Sequence, residues 1–117
     1  MDNKLRSLIE AATEKTATGV VSWVAFDDES FRAPIGTGFL HIQRGTTRVD
    51  NGDGDSIPAL THSVQVSDSQ GHVFTEVESI EGDPDFIVLA KLFAAARKAA
   101  FSGDHVLDVM LGVLRGK

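Results

Sequence analysis

The chain has 117 residues, a net charge of −6 and no cysteine. A chain of this length fits one domain with a single core and needs no disulfide or metal staple. The missing thiols exclude disulfide scaffolds, thiolate zinc sites and cysteine nucleophiles.

Hydrophobic residues at 42% and charged residues at 24% make a globular balance rather than a disordered one. The first ten residues carry Asp2, Lys4, Arg6 and Glu10 and no apolar signal-peptide core. No apolar run is long enough to span a bilayer. The expectation is a cytoplasmic protein with no membrane partner. From Val49 to Ala90 there are nine acidic residues and no Lys or Arg. A nucleic-acid groove needs clustered cations, so no nucleic-acid partner is expected. The acidity reads as a solvated surface, with a nucleic-acid mimic or a partner for a basic protein as the sharper alternative.

Leu5, Leu8, Ile9 and Ala12 fall at i, i+3, i+4 and i+7 and predict a first helix, capped by Asp2 or Asn3 and stopped at Gly19. Val20, Val21, Trp23, Val24 and Phe26 then read as a buried strand. After a polar turn, Phe31, Ala33 and Ile35 alternate as a second strand. Pro34 lacks an amide hydrogen, which makes that strand short or places it at an edge. Phe39 to Arg44 reads as the third strand, Leu60 to Ser67 as the fourth and Val73 to Glu78 as the fifth. The short connections predict an antiparallel meander.

Asp83-Pro84 opens a second helix with an apolar stripe of Phe86, Leu89, Phe93, Ala96 and Ala100. Gly103 ends it, and Asp104 caps a third helix running to about Leu114. These last two helices are expected to form an αα-hairpin packed on the sheet. The fold class is therefore α+β, one domain over 1–117.

The turn from Asp50 to Asp55 invites a calcium-loop reading, but the ligand pattern fails. From Asp50 the third position is Gly52, and from Asp53 the later positions are Ile57 and Pro58. A two-residue turn at Asn51-Gly52 would set His41 opposite His62 and begin a metal site. Centring the turn near Asp53 instead pairs Leu40 with Val66 and Ile42 with Val64, giving one apolar face, and burial favours that register. Leu40, Ile42, Val64, Val66 and Val73 are then expected to share the buried face, with Gln65 and Ser67 on the other. No metal and no cofactor are expected. Serine-hydrolase elbows, phosphate loops and paired-histidine helix motifs are missing from the sequence. Glu76 and Glu78 share one strand face and read as its wet side. Trp23 reads as core.

The carboxy-terminal residues Asp83, Asp85, Leu89, Leu92, Phe93, Ala96, Arg97, Ala100, Asp104, Leu107, Asp108 and Leu111, with a strand Trp such as Trp23, resemble a group of small uncharacterised bacterial proteins. The resemblance implies the order helix, meander, two helices. It brings no activity and no site.

The last helix carries the sharpest functional signal. Leu107, Met110, Leu111 and Leu114 make one stripe suited to the domain's own core, and Val106, Val109 and Val113 make a second. The second stripe predicts self-association, most simply a homodimer. The expected function is a non-catalytic interaction or accessory module. The rivals are a small-molecule-binding or hydrolytic domain with a pocket between sheet and helices, and an acidic inhibitor or immunity-type protein.

Overall fold

The carboxylate of Asp2 accepts the Leu5 amide at 2.7 Å and starts α1, Asn3–Ala17. A computed structural model of the chain describes residues 1–101 and 103–116, with side chains in the last stretch at 107 and 109–116. After α1 come β1 (Val24–Asp27), β2 (Ser30–Ile35), β3 (Gly38–Asp50), β4 (Ser56–Asp68) and β5 (Val73–Ile80), then α2 (Phe86–Ala100) and α3 (Gly103–Gly116). The five strands form one antiparallel meander in the order β1-β2-β3-β4-β5. The fold is α+β, with one amino-terminal helix and two carboxy-terminal ones.

Alternation fixes the central register as expected: Leu40 pairs with Val66, Ile42 with Val64, and His41 with Gln65 rather than His62. The β3–β4 ladder is longer than the apolar pattern, running on from Gly45↔Thr61 to Asp50↔Ser56. Neither β2 nor β5 accompanies it past Gly45, so it projects as a two-stranded ribbon with an acidic tip. At the other end of the ladder, a Cβ on Gly38 would sit 2.6 Å from the Ser67 carbonyl oxygen, so the strands approach this closely only because residue 38 is glycine.

α2 lies across the sheet and touches every strand, and α1 packs along α2. Between them Leu5, Ile9, Ala12, Trp23, Phe31, Ala33, Leu40, Ile42, Val64, Leu89, Leu92, Phe93 and Ala96 form one core. The Met1 amino group lies 3.0 Å from Asp85 Oδ2 and Arg6 lies 3.5 Å from Oδ1, so the starts of both helices share one carboxylate. The Trp23 indole donates to Thr16 Oγ1 at 2.8 Å, and Thr16 donates to the Ala12 carbonyl.

Three expectations change. β1 is not a buried strand: Val20, Val24 and Phe26 are exposed and Trp23 alone of that run is fully buried, because β1 is a four-residue edge strand. Its last pair is Val24↔Arg32, so Pro34 lies past its end and disturbs no ladder on that side. Val73 leaves the buried face because a bulge between Val66 and Ser67 shifts the register there, and it is 51% exposed. The helix packed beside α2 is α1, not α3. Leu107, Met110, Leu111 and Leu114, expected to face the domain's core, are all exposed.

Candidate functional site

α3 has 14 residues, and every described side chain on it is exposed. Leu107, Val109, Met110, Leu111, Val113 and Leu114 are between 42% and 79% accessible. Of the three residues expected to mediate self-association, Val109 and Val113 lie on this uncovered surface, and the side chain of Val106 lies outside the described residues, as does the expected cap at Asp104. A helix this short is marginal in water unless an apolar face is packed. α3 also carries three β-branched valines and an interior Gly112, the latter costing about 1 kcal/mol relative to alanine. Its helicity therefore calls for cover that the chain's own body does not supply to the described side chains.

Under α2, the sheet holds an unusual polar pair. His62 and Ser79 face each other across β4 and β5 and are 4% and 2% exposed. Among the described residues, His62 Nδ1 and Ser79 Oγ have no hydrogen-bond partner. The imidazole meets Phe86 edge-on and Phe93 at a tilt, with centroids at 4.8 and 5.2 Å. Beside it, Arg44 is paired with Glu29 through two nitrogens and lies 4.6 Å over the Phe93 ring. Burial and then the Arg44 charge push the His62 pKa down, which keeps the ring neutral.

The opposite face of the sheet carries no helix and displays a polar row. Ser30 Oγ lies 2.6 Å from His41 Nε2, and Gln65 donates to Glu76 at 2.7 Å. Gln65 sits opposite both His41 and Glu76 in the register, so the row crosses β2, β3, β4 and β5. Burial and then Arg32 lower the His41 pKa. Arg32 lies over the rings of Phe26 and Phe39, at 5.0 and 4.5 Å. A serine beside an oriented neutral imidazole has the geometry of a nucleophile and its base. Here it lies on an open face beside an exposed Arg32 and a 56% exposed Phe26, so water is not excluded from it.

The expected pocket between sheet and helices is occupied: Phe31, Leu40, Ile42, Val64, Leu89 and Leu92 fill that space with fully buried side chains. A cleft of about 230 Å³ lies instead between α1 and α2, lined by Glu10, Thr13, Glu14, Val88 and Lys91. It is smaller than the sites that usually enclose small molecules. Among the described residues, no three His, Asp or Glu side chains gather to hold a metal ion. No described helix is long and apolar enough to cross a membrane.

The outer-face row is absent from the sequence reading, because its members are far apart in the chain and only the register joins them. Once Leu40↔Val66 is fixed, His41↔Gln65 follows, and that pair was the available signal. The chain matches no family model, no curated protein and no solved structure.

Proposed function

We propose that the chain is a non-catalytic interaction module that works as a self-associated pair, with α3 as its contact element. The observation that carries this is the exposure of every described apolar side chain on both stripes of a 14-residue helix. A surface helix resting on one neighbour needs a stripe little wider than 100°. Val109 and Val113 are 54% and 74% exposed. Full burial of a valine in an apolar contact is worth about 1.5 kcal/mol or more before the cost of association. The cytoplasm is the setting this reading takes. Sedimentation velocity of the wild type against a Val109→Glu, Val113→Glu variant tests it. The wild type is expected to sediment as a dimer at tens of micromolar and the variant as a folded monomer. A monomeric wild type refutes the proposal.

A second reading, a hydrolytic domain, draws on the Ser30–His41 pair. A fluorophosphonate probe separates the two. The interaction reading expects no labelling, whereas labelling abolished by Ser30→Ala favours hydrolysis.

A further inference from the structure

We infer that β5 is a docking edge, and that an extended segment of a partner protein, basic at alternate positions, adds to it as a sixth strand. This contact is separate from the α3 surface and does not depend on self-association. The first support is the state of the edge. Among the described residues, no strand pairs with β5 on the side away from β4. Sheets guard such edges with short or bulged strands, proline or lysine. β1, at the opposite edge, has four residues and a bulge between Ala25 and Asp27. β5 has eight residues, no proline and no lysine, and its ladder runs evenly from Thr75 to Ile80.

The ladder also fixes which backbone groups the edge offers. The Glu81 amide donates to the Leu60 carbonyl at 3.0 Å. Alternation along an antiparallel pair then turns the amides and carbonyls of Ser79, Val77 and Thr75 toward β4, and those of Ile80, Glu78 and Glu76 away from it. Ile80 agrees with this, because Asp83 serves both of its groups. Its amide donates to Asp83 Oδ2 at 3.1 Å, and its carbonyl accepts the Asp83 amide at 2.9 Å. The edge is closed at Ile80 and open at Glu78 and Glu76, each of which can exchange a pair of bonds with a residue opposite.

Charge names the occupant. Residues directly opposite on an added strand point their side chains to the same face, with Cβ atoms about 5 Å apart. The two glutamates therefore meet the added side chains at the contact itself. Both are exposed, and Gln65 holds only one carboxylate oxygen of Glu76. β4 and β5 together carry Asp68, Glu76 and Glu78 and no Lys or Arg. A second copy's β5 would set glutamate against glutamate, which opposes self-pairing. Lys or Arg at both positions is matched, and the free backbone groups supply the affinity of strand addition.

The probe is a capped, fluorescently labelled Thr-Val-Lys-Val-Lys-Val-Thr peptide, titrated with the full-length chain and followed by anisotropy. Its controls are the same peptide with Glu for both Lys, and one N-methylated at both Lys, which removes the donors that would face β5. The wild type is expected to bind the lysine peptide at least about tenfold more tightly than the glutamate peptide. The Glu76→Lys, Glu78→Lys variant, whose changes lie on exposed positions, should reverse that order. N-methylation should abolish binding, and hydrogen exchange should show the Glu76 and Glu78 amides protected by the lysine peptide. Binding that survives N-methylation overturns strand addition and leaves charge attraction alone. Equal binding of the lysine and glutamate peptides overturns the basic occupant. No binding of the lysine peptide at about 1 mM overturns the docking edge.

Discussion

Lowering the pH should destabilise this protein through His62, and replacing that residue should remove most of the effect. His62 is 4% exposed, its Nδ1 is unpaired, and two phenyl rings and the Arg44 guanidinium surround it. Its folded pKa is depressed, so the unfolded chain takes up the proton first. Stability is complete above the unfolded value of about 6.5, falls as the pH drops below it, and levels off beneath the folded value. Within that window one such proton costs up to about 1.4 kcal/mol per pH unit. The groups facing the ring are Arg44 from β3, Glu29 from the β1–β2 turn, Ser79 from β5, and Phe86 and Phe93 from α2. Glu29 is engaged by Arg44, which holds its carboxyl below the ordinary range, so it offers the imidazolium little relief. His62→Phe keeps the ring contacts, removes the proton and removes an unpaired buried nitrogen worth about 1–3 kcal/mol. Overpacking offsets part of that gain, so at pH 7.5 the variant should melt within a few degrees of the wild type. Thermal melts followed by circular dichroism at pH 7.5 and 5.8 decide the matter, the lower value staying above the isoelectric point near 5.0. The wild type should lose several degrees more than His62→Phe. Equal losses would refute the reasoning and move the acid response away from His62.

Other outcomes follow from the same geometry. Gly38→Ala should cost about 1–3 kcal/mol in urea unfolding, because its Cβ would meet the Ser67 carbonyl at 2.6 Å. Gly45→Ala, whose nearest neighbour is the Thr61 hydroxyl at 3.2 Å, should cost less. Thr16→Val should leave the buried Trp23 indole unpaired and cost about 1–3 kcal/mol, with a shift in the emission of the only tryptophan. Melts with and without a chelator should superimpose, and a fall of several degrees would reveal a structural ion.

The central sheet is legible in the sequence because Leu40, Ile42, Val64 and Val66 alternate, and a one-residue slip would turn all of them to water. What escaped has local causes. The run from Val20 to Phe26 has the composition of a buried strand, but burial depends on what covers it: Trp23 is buried beside α1, Val21 and Ala25 are half-buried, and Val20, Val24 and Phe26 find no cover. Val73 keeps the right period and loses its face to a bulge that composition does not announce. For α3 the two stripes are plain in the sequence, yet their assignment to core and partner is not, since α1 takes the place beside α2 that the leucine stripe was expected to fill. The Ser30–His41–Gln65–Glu76 row needs four strands in register before it exists.

The account stands on α3 being covered by a second copy. Amide hydrogen exchange of the wild type across a dilution series reads this directly, because protection conferred by a partner depends on concentration and protection conferred by the same chain does not. The prediction is that amides from about Leu107 to Leu114 are protected at tens of micromolar and lose that protection on dilution, while those of β3 and β4 stay protected throughout. Protection of α3 that is unchanged by dilution, or no protection at any concentration, would contradict it.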